Sequence, residues 1–224
     1  MSNYLAIASV TEVLRQLLHS AIQRDVPGVA VNARRPGAIG GQPGTEVTIY
    51  LYRVSPNAAL RNADLPTRSS DGKQLMRRPQ VALDLHYLLS FYGEEGEFMP
   101  QRLLGSVVAA LQLTPTLNRR SIREMLGGHD LLGESDLAAS IELVKLSMVP
   151  LSLEDLSKLW SVFLQTPHAL SVAYEASVVL VEPNVVPPEP LRVRDGNIYG
   201  RSLRQPLIEQ LRVAGDTLEI RGQR

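Results

Sequence analysis

Two apolar runs separated by a long polar one constrain this chain more than any other feature. The first, Val47-Thr48-Ile49-Tyr50-Leu51-Tyr52-Arg53-Val54, is close to strict alternation. The second runs from Val81 through Leu85, His86 and Tyr87 to Tyr92. β-Branched and aromatic residues at period two mark both as strands. Between them Ser55 to Gln80 is rich in Pro, Asn, Asp, Gly and Arg and carries neither a helical nor a strand period. Loops longer than about 12–15 residues inside a compact domain are uncommon and are usually functional or disordered. The expectation is two long strands bracketing a basic loop, with the rest of the chain in support.

The flanking elements follow from periodicity and punctuation. Ser2 or Asn3 caps a first helix with Val10, Val13, Leu14, Leu17, Leu18 and Ala21 on one face, ended by Pro27-Gly28. A short strand, Val29 to Ala33, precedes a Gly/Pro-rich turn reaching Gly44. In the second long strand Val81, Leu83 and Leu85 face one way and Ala82, Asp84 and His86 the other, and beyond His86 both faces turn apolar. Gly93-Glu94-Glu95-Gly96 is a turn, and Pro100 suits the first turn of a helix with a Leu103, Leu104, Val107, Val108, Leu111 stripe. Ser121 and Glu124 have capping-box spacing for a short helix through Leu126. A strand over Ile141–Val149, a helix from Ser152 to Leu164 burying Leu156, Leu159, Trp160 and Phe163, and a strand from His168 to Val181 complete the set.

The sum is an α+β fold: a mixed or antiparallel sheet of about five strands packed with about four helices, with too few strand–helix–strand units for a doubly wound one. Residues 1–182 form this domain. In 183–224 the character changes to a stiff linker containing Pro183, Pro187, Pro188 and Pro190, followed by a short β-rich tail. Leu191–Arg194 and Ile198–Tyr199 read as short strand-like pieces around a turn at Asp195-Gly196-Asn197. The last segments, Pro206–Leu211 and Gly215–Gly222, resemble the opening strands of an immunoglobulin-like repeat of the IPT/TIG kind.

Composition excludes several function classes. The 224 residues carry a formal charge of zero, so the protein as a whole is not built to coat nucleic acid or an anionic membrane. The absence of cysteine removes disulfides and thiol chemistry and fits a reducing compartment. Met-Ser-Asn-Tyr stands where a secretory signal would need basic residues before an apolar run, and no apolar stretch reaches membrane-spanning length. The expectation is a soluble protein made and assembled in the cytoplasm.

Catalytic chemistry is sparse. The four histidines, His19, His86, His129 and His168, are far apart, and none has metal-ligand spacing to another. Asp84 and His86, two apart on one strand face, fit either a base–orienter pair or a plain polar contact, and no Ser or Lys nucleophile has motif spacing nearby. Glu94, Glu95 and Glu97 sit in a glycine turn and read as a solvated tip. Gly40-Gly41-Gln42-Pro43-Gly44 lacks the Lys-Ser/Thr of a phosphate-cradling loop. No catalytic residue, metal or cofactor is expected, and an enzyme is not.

The long loop is different in kind. Arg61, Arg68, Lys73, Arg77 and Arg78 outnumber Asp64 and Asp71, and Leu60, Leu65 and Met76 offer apolar anchors. Planar guanidinium forks suit carboxylates across an interface. The composition fits a docking arm or a solvated charge run, while stacking aromatics for nucleic acid are absent from the loop.

Tyr52–Asn62, Tyr-Arg-Val-Ser-Pro-Asn-Ala-Ala-Leu-Arg-Asn, and Arg78–Leu89, Arg-Pro-Gln-Val-Ala-Leu-Asp-Leu-His-Tyr-Leu-Leu, carry a resemblance. Together they resemble the amino-terminal domain of cap, or tail-terminator, proteins of extracellular contractile injection systems, of the Photorhabdus virulence cassette and antifeeding prophage type. Beyond these blocks, from about Asn3 to Glu182, only the order of elements matches. The resemblance implies a phage tail-terminator-like fold and a structural role: a homo-hexameric ring closing the inner tube and sheath distal to the baseplate, as a component of the injection particle. It implies as partners other copies of the chain and the tube and sheath proteins, with no nucleic acid and no direct membrane insertion. It places Asn57, Arg61 and Asn62 as interface candidates, with Arg68, Arg77 and Arg78 from the same loop, and Asp84, His86 and Tyr87 as structural residues. The short carboxy-terminal region departs from the longer extension of some relatives. Two rival classes remain, a stand-alone protein-binding adaptor and a small hydrolytic enzyme using Asp84 and His86.

Overall fold

The computed structural model describes residues 3–37, 44–63, 66–69, 75–164, 166–183 and 207–223. The chain divides into two units, Met1–Pro188 and Glu189–Arg224.

The first unit is built on a five-stranded sheet in the order β1-β2-β5-β7-β6. β1 (Ala30–Ala33) runs parallel to β2 (Glu46–Pro56); β2 with β5 (Val81–Tyr92), β5 with β7 (Leu170–Val181), and β7 with β6 (Lys145–Val149) are antiparallel. The two long strands read from the sequence thus pair directly, and β5 is the centre of the sheet. The expected α+β class with a mixed sheet of five strands and four α-helices is what the described residues form.

Period-two patterning sorts the strand side chains onto two faces. Val47, Ile49, Leu85, Tyr87, Leu89, Phe91, Tyr174 and Val179 face the main core with α1 (Ala6–Asp25), α2 (Met99–Leu113) and α3 (Arg119–Leu126). The opposite face carries a smaller core in which Leu88 is buried with Trp160 of α4 (Leu153–Ser161) and with Phe163 just beyond it. Residues Tyr87 to Tyr92 are buried throughout, because this half of β5 is covered on both sides.

Helix ends follow local chemistry. α1 stops before Pro27, which disfavours helical geometry at Val26, and Gly28 takes φ +86°. At its start Asn3 Oδ1 accepts from the Leu5 amide at 3.0 Å, and the Asn3 amide donates to Asp136 Oδ1 at 2.7 Å. α3 is capped by Asn118, which accepts from the Ser121 amide at 2.8 Å, and not by Ser121. With the cap at Asn118, Ser121 is the third helical residue and Glu124 lies a turn beyond the box position, where it pairs with Arg120 Nε at 2.7 Å. α4 is capped by Ser152 as expected, accepting from the Asp155 amide at 3.1 Å. It ends at Ser161 and not Leu164, since the Phe163 amide already bonds back three residues to Trp160. β6 is shorter than Ile141–Val149: Arg119 takes the Ser140 and Ile141 carbonyls and the Leu117 amide takes Val144 O, so that stretch is held outside the ladder.

The second unit has one described element pair, β8 (Leu207–Ala214) and β9 (Thr217–Gln223), an antiparallel hairpin turning through Gly215 at φ +62°. Leu211 and Val213 oppose Ile220 and Leu218, and all four are more than half exposed. The expected strand-like pieces Leu191–Arg194 and Ile198–Tyr199 and the proline-rich stretch around Pro187, Pro188 and Pro190 lie outside the described residues. Among those described, no helix is long and apolar enough to cross a membrane.

Candidate functional site

β2 ends in Pro56, which has no amide to donate and so can close a strand but not continue it into a central ladder. Asn57 then fixes how the chain leaves the sheet. Its amide donates to Ala82 O at 2.8 Å, and its Oδ1 accepts from the Ala59 and Leu60 amides at 3.1 and 3.2 Å, closing an Asx-type turn. Its Nδ2 donates to both oxygens of Asp84 at 2.9 and 3.1 Å. Asp84 Oδ1 also accepts from the Val178 amide at 3.3 Å. Val178 lies at the β5–β7 register shift with φ +59°, in the left-handed region that a β-branched residue rarely enters. One carboxylate therefore holds both a bulge in β7 and the base of the loop.

His86 does not pair with Asp84. Its Nε2 lies 2.9 Å from Ser55 Oγ and its Nδ1 lies 3.6 Å from Glu175 Oε2, a row crossing β2, β5 and β7. The order hydroxyl–imidazole–carboxylate is that of a nucleophile, base and orienter. Pro56 has no N–H and the Asn57 amide is spent on Ala82 O, so neither amide after Ser55 is free for an oxyanion. Tyr87, third in the same block, is wholly buried and shares a 2.8 Å hydrogen bond with Thr11 Oγ1, tying α1 to the sheet; burial pushes its phenol well above the usual tyrosine range.

The loop is not structureless, as its sequence suggests. It contains a 3₁₀ turn, Arg61–Ala63, and a two-stranded ribbon in which β3 (Thr67–Arg68) pairs antiparallel with β4 (Leu75–Arg77). The ribbon forms without strong periodicity because backbone pairing over two or three residues needs little side-chain pattern. Arg61 and Asn62 are exposed, Arg68 and Arg78 half-buried, and Arg77 lies in β4. Met76 is 68% exposed, and Val54 and Val81 are more than a third exposed. Arg61, Arg78, Met76 and Val81 give the end of the sheet where β5 begins a basic surface with apolar patches, while exposed Arg53 stands opposite His86, midway along β5. Arg53, Arg61 and Arg78 have no ion pair among the described residues. Asp64, Leu65, Asp71 and Lys73 lie outside the described residues.

Periodicity did not reveal a groove of about 390 Å³ between α2 and the β6 edge of the sheet. Val108, Leu111, Pro115, Leu146, Met148 and Tyr174 line it, with Lys145 as its titratable cation. No group of His, Asp or Glu side chains among the described residues could hold a metal.

Residues 9–195 match the profile of the Pvc16 N-terminal domain. Among solved structures the chain is similar to the sheath/tube terminator of PVC, an extracellular contractile injection system, in the extended state. The identity is 18% and the TM-score 0.56, over 89% of this chain and 65% of that one. It is also similar to the tube-terminating cap of the anti-feeding prophage, with 16% identity and a TM-score of 0.50 over 83% of this chain and 59% of that one. At these identities the fold is what is shared, and the chain spans less than two thirds of the length of either solved chain. No curated protein matches it. The profile match takes in both long strands, the loop between them and all four helices, so this chain belongs to the family of the Pvc16 N-terminal domain.

Proposed function

We propose that this chain is a structural cap, or tail terminator, of a contractile injection system. Six copies form a ring that closes the inner tube and sheath at the end distal to the baseplate. It is assembled in the cytoplasm and retained in the particle. The observation that carries the reading is the family match over residues 9–195, joined to a fold shared with two solved terminating proteins. The physical need is plain: stacked rings with head-to-tail contacts grow without limit unless a piece matches the last ring on one face and offers no site on the other. The domain that does this is residues 1–182, with 183–224 as linker and β-rich tail. Partners are other copies of the chain, the tube and the sheath.

A non-catalytic role agrees with the missing oxyanion donors beside Ser55 and with Asp84 being engaged by Asn57 and Val178 in place of His86. The interface role falls to the loop, with Asn57 setting its exit, Arg61, Asn62 and Arg78 on its surface, and Arg68 and Arg77 in its ribbon. Arg61→Glu tests it. The exposed site leaves circular dichroism unchanged, while particles carrying the variant lose their caps and their tubes vary in length. Normally capped particles would assign the interface elsewhere. An electron micrograph of tagged protein along the particle flank, and not at its end, would favour the adaptor reading.

A further inference from the structure

β5 places two unlike surfaces at its two ends. It is a strand of 12 residues, so at a rise of about 3.3 Å per residue its ends stand roughly 35 Å apart. Before it lies the basic face already described, with exposed Arg61, half-buried Arg78 and exposed Met76. After it comes the turn Gly93-Glu94-Glu95-Gly96-Glu97-Phe98, in which all three carboxylates are exposed and none has an ion pair among the described residues. Phe98 stands at the tip's edge, 67% exposed, where it precedes α2.

The tip has a defined shape. The Phe98 amide donates to Glu95 O at 3.0 Å, the Met99 amide to Glu94 O at 3.1 Å, and the Arg102 amide to Phe98 O at 3.0 Å. It is a short 3₁₀ turn locked onto the first turn of α2, so the carboxylates and the ring are presented together on a held backbone. Among the described residues the other charges near the two surfaces include Arg102, Asp84, Glu175 and Glu182. Arg102 is the cation closest in sequence to the tip and leaves it net acidic. At the basic end Asp84 is engaged by Asn57 and Val178, Glu175 faces His86, and Glu182 follows Val181, the partner of Val81.

The geometry points to a head-to-tail contact between copies of this chain, in which the acidic, aromatic tip Glu94–Phe98 of one copy seats on the arginine and methionine face around Arg61 of the next. Two surfaces of opposite charge at opposite ends of one rigid strand cannot meet within a chain, but they satisfy each other between chains. Such a contact is heterologous, the kind that closes rings. Carboxylates meet guanidinium forks, and Phe98 supplies the apolar centre that charge alone would lack. The tip is smaller than the ~800 Å² per partner of a typical stable interface, so a single contact is weak and the closed ring, where every copy makes two, is the stable form. This inference rests on the ring reading above and names the acidic surface that the loop arginines meet.

The test uses the full chain in sedimentation velocity over a concentration series, with circular dichroism as the check on folding. The loop variant is Arg61→Glu with Met76→Glu and the tip variant is Glu94→Lys with Glu95→Lys, all at exposed positions. Each alone sets like charges against each other, and its self-association should fall at least tenfold. A 1:1 mixture should assemble again, since every tip in an alternating ring then meets a loop of opposite sign. Phe98→Ser should weaken association without changing charge. Wild-type association should fall as salt rises from 50 to 500 mM, because exposed pairs are screened within about 10 Å at 0.1 M. A tip variant that associates as wild type does, or a mixture that fails to assemble, overturns this contact and leaves the ring reading standing. A wild-type chain that stays monomeric at millimolar concentration sinks the ring reading and this contact with it.

Discussion

Trp160→Ala probes the thin second layer of the sheet, where the energetic balance is tightest. Trp160 is 7% exposed, and its ring stands edge-on to Phe163 at 5.5 Å. Its Nε1 donates to Ser171 Oγ at 3.2 Å. Burying most of an indole, about 200 Å² or more at ~25 cal/mol/Å², is worth roughly 5 kcal/mol, of which the retained Cβ and partial collapse recover a part. The expected loss is about 3–5 kcal/mol. The surroundings argue for the upper half. Among the described residues only Leu88 and Phe163 are buried alongside it, and Tyr50, Tyr52, Leu156, Leu159 and Ala169 are half-buried, so few atoms can move in to fill the gap. A helix of nine residues is too short to persist without docking, so α4 would loosen with its anchor. Urea unfolding followed by circular dichroism measures the loss. Trp160 is the only tryptophan, so iodide quenching of the wild type reads its shielding directly. A loss under 1 kcal/mol, or quenching as complete as for free indole, would refute the packing argument.

Three further outcomes are expected. Burial raises the Tyr87 phenol above its ordinary value near 10, so the stability it contributes is fully present below pH 10 and is lost as pH climbs above it. Tyr87→Phe should cost about 1 kcal/mol at pH 7, since Thr11 Oγ1 keeps its 3.1 Å bond to Ile7 O. It should also flatten the alkaline decline without abolishing it, because burial raises Tyr52, Tyr92 and Tyr174 as well; an unchanged slope in a pH series of melts would count against this. Asp84→Ala removes the acceptor for Asn57 and Val178 and should cost about 1–2 kcal/mol, with faster hydrogen exchange at the Val178, Ala59 and Leu60 amides; unaltered protection there would separate the bulge from the loop. Deleting residues 189–224 should leave the melting of the first unit within about 2 °C, because a lone two-stranded hairpin contributes little by itself; precipitation of the shortened chain would show the opposite.

What could be read from the sequence was what periodicity encodes. Val47–Val54 and Val81–Tyr92 declare themselves because a strand half-buried on a core must alternate, and the double burial after His86 was visible where alternation stopped. Trp160 and Phe163 were legible as buried, but not as a core separate from that of α1 to α3, because a helical stripe states that a face is covered and not what covers it. The cap of α3 was misplaced for a related reason. Ser121 and Glu124 satisfy the capping-box spacing, and only the structure reveals that Arg120 already holds Glu124 and that Asn118 is the extended residue before the helix. The Asp84–His86 pair failed at the β5–β7 register shift, which sends the two side chains to different partners. No pattern of residue types announces an extra residue in the facing strand, 94 positions away.

That bulge links the fold to the proposed interface. At Val178 the extra residue lets β7 twist away just where β5 begins, and the left-handed backbone it demands would be costly for valine unless the surroundings fixed it. Asp84 does so from β5, and with its other oxygen it also holds Asn57, so the exit of the loop is set by the same group that sets the bulge. At the other end of β5 the burial of Tyr87 to Tyr92 on both faces makes the strand rigid up to the acidic tip. A surface at each end of a strand can serve a ring only if the strand keeps their spacing and direction fixed. Double burial at one end and the carboxylate clamp at the other supply that rigidity by different means. The clamp also joins the two blocks that carry the family resemblance, Tyr52–Asn62 and Arg78–Leu89: Asn57 and Asp84 lie one in each, linked by two hydrogen bonds.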